Sequence, residues 1–152
     1  MAEDLTGVSI FHGIPLDGLT RLTERGQRRL FPAGSQIMRQ GEPGESLYVI
    51  MGGVVRVERE HPAITQSLVL AELGAGEVVG EMALLDGDPR SATVTALENT
   101  ETLEISAADL AETILRYPEV STALLRLLSR RLRNTNELAE KIMQQRRDEG
   151  SV

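Results

Sequence analysis

Between Gln27 and Ile105 short runs of aliphatic and β-branched residues alternate with turn signals every 8–12 residues. The runs are RRLF, SQIM, SLYVIM, VVRVE, SLVLAEL, EVVG, ATVTAL and ETLEI. Pro32-Ala33-Gly34, Gly41-Glu42-Pro43-Gly44, Gly52-Gly53, Gly74-Ala75-Gly76 and Asp86-Gly87-Asp88-Pro89 punctuate them. Evenly spaced short strands with Gly-rich turns predict a small barrel or jelly roll. Gly52-Gly53, between SLYVIM and VVRVE, reads as a two-residue hairpin turn, because primed turns need positive φ. Upstream, Phe11, Ile14, Leu16, Leu19 and Leu22 have loosely helical spacing broken by Gly13 and Pro15, which fits either a mobile element or a lid on the core. Downstream, Ser106 and Asp109 have the S-x-x-D form of a helix start, with Leu110, Ile114 and Leu115 as its apolar face. Pro118 suits the first turn of a second helix, about 118–146, that has no internal Gly or Pro.

The fold class expected is mainly β with flanking helices. It is a double-stranded β-helix (jelly-roll) barrel at about 27–105, with a short N-terminal helical element, a short phosphate-binding helix and helices at about 107–146 that end in a long C-terminal one. Residues 1–146 form one domain in this reading, and 147–152 a tail or linker stub.

Composition narrows the function. The 152 residues suit one domain with a core of its own, and an aromatic content of 3% makes that core aliphatic. The chain has no Cys, which excludes disulfides, thiolate metal sites and Cys nucleophiles. No run reaches the roughly 18 apolar residues of a membrane span. The acidic start MAEDLTGVSI lacks the pattern of a signal peptide, and a cytoplasmic location is expected. Net charge is −7, made of −10 over residues 1–114 and +3 over 115–152. So acidic a body repels a phosphate backbone, and direct DNA binding by this chain is not expected. The basic tail reads as a solvated helix face. Fifteen Arg against one Lys suggests a GC-rich genome, and so a bacterium.

The most informative stretch is Gly80 to Thr93, GEMALLDGDPRSAT. Gly80 lets a backbone approach a ligand closely. Glu81 to Leu85 can form one helical turn whose first N–H groups lack partners and whose dipole favours an anion. Arg90 follows a Pro-fixed turn and offers a planar fork that matches two phosphate oxygens. Together these make a site for a compact anion of few charges. Glu81 would repel that anion unless the ligand also carries donors, and a ribose hydroxyl is one. The alternative is that Glu81 and Arg90 form a mutual surface ion pair worth little.

At these residues the chain resembles the cyclic nucleotide-binding domain family, whose phosphate-binding cassette is matched by Gly80, Glu81, Ala83, Leu84, Pro89, Arg90, Ser91 and Ala92. Phe31-Pro32-Ala33-Gly34 and Arg39-Gln40-Gly41-Glu42-Pro43-Gly44 resemble its opening turns. Leu47-Tyr48-Val49-Ile50 with Gly52-Gly53-Val54-Val55 resembles its central hairpin. The resemblance implies that Glu81 holds the ribose 2′-hydroxyl and that Arg90 pairs with the cyclic phosphate. The N–H groups of Met82, Ala83, Ser91 and Ala92 would cradle that phosphate, and the Ser91 hydroxyl would add a bond to phosphate or base. The ligand is then cAMP first and cGMP second, with no other cofactor and no chemistry done on it.

Leu125, Leu128, Leu132, Thr135, Ala139 and Ile142 repeat at spacings of 3 and 4, a heptad seam with a polar centre. The seam is either a homodimer contact through about 125–142 or the face by which one helix packs on its own barrel. Aligned from Tyr117-Pro118, Thr135 and Asn136 fall where family members contact adenine. Arg131, one turn earlier, reads as a solvated charge within Arg130-Arg131-Leu132-Arg133. Bacterial members continue into a winged helix-turn-helix domain, for which the 16 residues after Asn136 are too few. The expectation is therefore a stand-alone sensor or the sensor part of a larger protein. Two competitors remain. One is a ligand-free dimerisation module on the same fold. The other is a cupin-type metal enzyme, for which His12 and His61 are poor ligand candidates.

Overall fold

The computed structural model describes residues 5–150. Eight strands form two four-stranded antiparallel sheets: β1 (Gln27–Phe31), β2 (Gln36–Met38), β3 (Ser46–Gly52), β4 (Val55–His61), β5 (Ile64–Leu73), β6 (Val78–Val79), β7 (Thr93–Ala96) and β8 (Thr100–Ser106). One sheet has the order β1-β8-β3-β6 and the other β2-β7-β4-β5, the interleaved order of a jelly roll. Each of the eight apolar runs of the sequence overlaps one strand. Four helices complete the fold: α1 (Leu16–Arg25), α2 (Glu81–Asp86), α3 (Ala107–Arg116) and α4 (Glu119–Glu149). A 3-10 turn spans Ser9–Phe11.

Two apolar clusters hold the layers together. Ile37, Met38, Tyr48, Ile50, Val55, Val79 and Val94 fill the space between the sheets. Leu47, Val49, Val78, Leu103 and Ile105 point the other way and meet Phe11, Ile14, Leu19, Leu22, Leu110, Val120, Leu124 and Leu127 from the helices. Strand β3 is therefore buried on both faces, which is why SLYVIM reads as a continuous apolar run rather than an alternating one. The N-terminal segment is a lid on this core: Ile10, Phe11, Ile14, Leu19 and Leu22 are all buried. Ser106 caps α3 as expected, its hydroxyl accepting from the Asp109 N–H at 3.1 Å. On α3 the inward side is Leu110 and Thr113, while Leu115 is exposed, a departure from the expected apolar face.

Two further expectations are corrected. Gly52-Gly53 does not close a hairpin, because β3 pairs with β6 and β8 while β4 pairs with β5 and β7. The two glycines instead carry the chain around the corner from one sheet to the other. A corner needs positive φ as much as a primed turn does: Gly53 has φ +97°, pressed against the backbone of Asn99 and Thr100. The true neighbouring hairpin is β4–β5, turning at Pro62-Ala63 with His61 opposite Ile64 and two bulges in its register. Helix α4 also runs to Glu149, past the expected end at residue 146, so residues 147–149 of the expected stub are helical. Ser151 and Val152, the rest of that stub, and residues 1–4 of the acidic start lie outside the described residues.

Gly53 and Gly52 give a paired test of the corner. A Cβ on Gly53 would stand 2.7 Å from the Asn99 carbonyl oxygen, whereas one on Gly52 meets nothing within 4 Å. Gly53→Ala is expected to lower unfolding free energy by about 1–3 kcal/mol, and Gly52→Ala to stay within about 0.5 kcal/mol of the parent, both read from urea melts.

Candidate functional site

The stretch from Gly80 to Thr93 lies where the two sheets meet under α4. Gly80 caps α2 in the left-handed conformation, φ +88°, because β6 must turn sharply into the helix there. Its absent Cβ is needed as well: that atom would stand 2.5 Å from the Arg90 Nη1, 3.0 Å from Met38 Cε and 3.2 Å from the Ser46 carbonyl oxygen. Arg90 is only 6% exposed. Its Nη1 donates to the Gly80 carbonyl at 3.1 Å. Its backbone is clamped to the turn before β3, with Arg90 N–H donating to Glu42 O at 2.8 Å and Gly41 N–H to Arg90 O at 2.9 Å. The guanidinium lies against Gly44, where any Cβ would collide with Nε and Cζ. Thus the turn Gly41-Glu42-Pro43-Gly44 forms the seat of Arg90, and Gly44 is a site residue that the sequence reading placed only among turn signals.

Among the described residues no carboxylate is within ion-pairing distance of Arg90. Burial pulls its guanidinium below the usual range, opposed by the nearby Tyr48, Glu104 and Glu81. It nevertheless stays protonated at neutral pH. A buried cation with one neutral hydrogen-bond acceptor is under-compensated, and an anion placed against it gains a charge-assisted contact. The N–H groups of Ser91 and Ala92, which follow Arg90, make no hydrogen bond to the described residues. Met82 and Ala83 occupy the first turn of α2, with Ala83 buried and Met82 exposed.

Glu81 is 4% exposed, the most deeply buried carboxylate of the described residues. It does not pair with Arg90. Its Oε1 instead accepts from the Nη1 of Arg131 on α4, and the Nη2 of Arg131 donates to the Val78 carbonyl at 2.5 Å. Glu77 lies 3.9 Å from the same Nη2. This corrects the reading of Arg131 as a solvated charge: its side chain is 27% exposed and joins α4 to the end of β6 and the start of α2. The reason lies in the inner stripe of α4. Val120, Leu124 and Leu127 are buried at spacings of 4 and 3, and Arg131 is the next position on that stripe. The stripe itself was the signal available in the sequence.

Thr135 follows Arg131 by one turn and so continues that face, but it is exposed, as is Asn136. Asn136 sits about 140° round the helix from Arg131, given about 100° per residue. It falls instead on a second stripe with Leu125, Leu132 and Met143, all exposed. The structure therefore brings Gly80, Glu81, Ala83, Arg90 and Ala92 into one place, adds Arg131 and Gly44 to them, and leaves Thr135 exposed on the face of Arg131 and Asn136 exposed on the outer stripe of α4.

Behind Arg90 stands a polar group. The Ser46 hydroxyl donates to Glu104 Oε2 at 2.6 Å, and Arg29 Nη1 lies 3.2 Å from Glu104 Oε1. Burial pushes the Glu104 carboxyl up, but hydrogen bonds from Ser46, Tyr48 and Arg29 outweigh it and hold the carboxyl below its usual range. Burial and the bond to Glu104 push the Tyr48 phenol up. The two histidines are elsewhere. His12 is exposed beside the 3-10 turn, and the His61 Nδ1 accepts from the Ala63 N–H at 3.1 Å. Among the described residues no group of three or more His, Asp or Glu side chains is placed to hold a metal ion. No described helix is long and apolar enough to cross a membrane.

The family model described as "Cyclic nucleotide-binding domain" matches residues 28–117. The chain is 41% identical over 132 residues to the "Cyclic AMP receptor protein" of Thermus thermophilus, covering 87% of this chain and 61% of that protein. It is 35% identical over 136 residues to the "CRP-like cAMP-activated global transcriptional regulator" of Mycobacterium tuberculosis, covering 90% and 60% respectively. The chain thus spans about three fifths of the length of these relatives. Among solved structures, the Catabolite Activator Protein of Thermus thermophilus superposes with a TM-score of 0.77 at 39% identity, covering 89% of this chain and 63% of that one.

The Glu81–Arg131 pair can be tested without any ligand. Arg131→Ala leaves a buried carboxylate unpaired and is expected to cost about 1–3 kcal/mol in denaturant melts, less than a fully buried pair because Arg131 is partly in water. Adding Glu81→Gln should recover part of that loss, giving a coupling energy of about 1–2 kcal/mol in the double-mutant cycle. Additive losses would show that the two side chains do not interact.

Proposed function

The chain belongs to the cyclic nucleotide-binding domain family, and from that premise we propose that it is a sensor that binds a cyclic nucleotide, cAMP in preference to cGMP, without transforming it. The observation that carries this is Arg90, a buried cation with no carboxylate partner among the described residues, seated by glycines beside free backbone N–H groups. In this reading Arg90 pairs with the cyclic phosphate. Gly80 gives the backbone room, and the N–H groups of Met82, Ala83, Ser91 and Ala92 complete the cradle. Glu81 accepts from the ribose 2′-hydroxyl. A ligand lacking that hydroxyl would leave the buried carboxylate with only its contact from α4.

The output travels through α4. Glu81 already holds Arg131, so the ligand hydroxyl and the long helix meet at the same carboxylate. A ligand that binds better with α4 in one position than another shifts the population of that position. Thr135, on the face of Arg131, meets the base in this reading as the helix settles over the mouth of the site. Asn136 lies on the stripe of Leu125, Leu132 and Met143, and it reaches a base through a homodimer that pairs two α4 helices along residues 125–142. The exposed aliphatic stripe supports that pairing, since a solitary helix gains nothing from three large apolar side chains in water. What the sensor regulates in a longer protein would follow from the same movement of α4.

A melting experiment decides the binding reading. Ligand at a hundred times its dissociation constant adds about 2.7 kcal/mol to unfolding. We expect that shift with cAMP, a smaller one with cGMP at equal concentration, and none with Arg90→Ala. Thr135→Ala is expected to weaken cAMP about tenfold, the worth of one hydrogen bond, in calorimetry. No shift of the parent chain with millimolar cAMP or cGMP would overturn the proposal.

A further inference from the structure

The charges around Arg90 determine how much negative charge the site accepts; this step rests on the reading that Arg90 receives the phosphate. Tyr48 on β3 is in register with Val79 on one side and with Glu104 on the other. The row Glu104–Tyr48–Val79 thus ends one residue before Gly80, whose carbonyl holds Arg90. Two strand spacings, roughly 10 Å, separate the Glu104 backbone from that position. Ser46 closes the gap from the side. Its hydroxyl donates to Glu104, while its carbonyl oxygen lies 3.2 Å from where a Gly80 Cβ would be.

The carboxylates are answered unequally. Glu81 is paired with Arg131, and Glu77 lies 3.9 Å from the same guanidinium. Glu104 is paired with Arg29, but Arg29 is the more exposed partner, 46% against 20%, so water screens its charge more than that of the carboxylate. Among the described residues of the site, Arg90 is the cation left to receive a ligand, with negative charge on both sides of it. A phosphodiester brings one charge. A phosphomonoester brings nearly two above its second pKa of about 6, and the second charge meets carboxylates rather than a cation.

We propose that the site is matched to a single negative charge, and that Glu104 is a specificity-determining residue that disfavours doubly charged phosphomonoesters while admitting singly charged diesters. Glu104 does this through its field across β3, without touching the ligand. The same field leaves Arg90 enough uncompensated charge for one anion.

The test is calorimetry on the whole chain at about pH 8 with three adenosine ligands: cAMP, 5′-AMP and the methyl ester of 5′-AMP. The last is open-chained like 5′-AMP but carries one charge like cAMP, so the ester and 5′-AMP differ in charge and not in ring closure. The parent chain should bind the ester more tightly than 5′-AMP. Glu104→Gln should narrow that gap about fivefold, the scale of one unit charge acting across partly wet protein. Glu104→Asp, which keeps the charge but shortens the side chain, should restore the gap; a purely structural role would not be rescued in this pattern. If Glu104→Gln does not fold, as judged by circular dichroism, salt provides the second measurement. Raising ionic strength should narrow the parent's ester-to-AMP gap. A gap absent in the parent, indifferent to salt, or unchanged in Glu104→Gln overturns the proposal while cAMP binding stands. A parent chain that binds none of the three overturns the binding reading itself, and this inference falls with it.

Discussion

Burying one guanidinium is the constraint around which this site is arranged. A charge moved from water into protein costs several kcal/mol unless its surroundings answer it, and Arg90 is held at 6% exposure. The chain answers only partly. One carbonyl accepts from it, carboxylates stand at second neighbour distance, and no carboxylate among the described residues touches it. Glycine is required on two sides for this to be sterically possible, since a Cβ at Gly44 or Gly80 would occupy the space of the guanidinium or its carbonyl seat. The backbone clamp to Gly41 and Glu42 then fixes the arginine against withdrawal to solvent. A protein that only wanted stability would gain by replacing such a group with an apolar one. On the proposed function the cost prepares an anion site, because a donor already desolvated and aimed needs no reorganisation when the anion arrives.

Glu81 poses the mirror problem, and the fold solves it with a distant element. Its partner Arg131 comes from α4, fifty residues further along the chain. This makes the position of α4 a condition for satisfying a buried carboxylate on α2. The two stripes of α4 divide the work. Val120, Leu124 and Leu127 attach its first half to the core, after which Arg131 replaces the next apolar anchor with an ionic one. Beyond Arg131, exposed positions prevail, and Arg146 reaches only the Ala63 carbonyl of the β4–β5 turn at 3.3 Å. A helix anchored apolarly at one end and ionically at its middle depends at that middle on one pair, whose exposed partner can regain water while its buried partner cannot.

How much of this was legible from the residues follows from the range of each interaction. Strand identity is local, and all eight runs became strands because alternation or continuous burial leaves its mark within a few positions. Sheet membership is not local. Gly52-Gly53 carries the chemistry of any tight positive-φ turn, and only the pairing of β3 with β6 and β8 tells a corner from a hairpin. The Gly80–Ala92 stretch was legible as a candidate anion cradle, and its buried Arg90 and turned Gly80 were in view, because its parts are contiguous. Gly44 was not, since its requirement comes from a side chain 46 positions away. Arg131 was misjudged for a different reason. The heptad pattern on α4 runs through Leu125 and Leu132, both exposed, and leaves Arg131 looking like one charge in a charged run. Following Val120, Leu124 and Leu127 one step further would have placed it facing the barrel.

The asymmetry of the Glu81–Arg131 pair gives the proposed relay its direction. The Glu81 side chain is 5% exposed and that of Arg131 27%. If α4 moves away, Arg131 gains water, but Glu81 stays inside the wall of the site and loses a charge-assisted bond. An unligated chain therefore holds α4 near the site by the need of Glu81 for a donor. On the proposed function a ribose hydroxyl would supply a donor of its own at that carboxylate, and the dependence of Glu81 on Arg131 would weaken once a nucleotide is present. The helix is then free to choose its position by other contacts, with the base through Thr135 or with a second α4 through Leu125 and Leu132. On this argument the ligand acts by removing an obligation on α4 as well as by adding contacts to it, and the size of the response is limited by the coupling between two side chains.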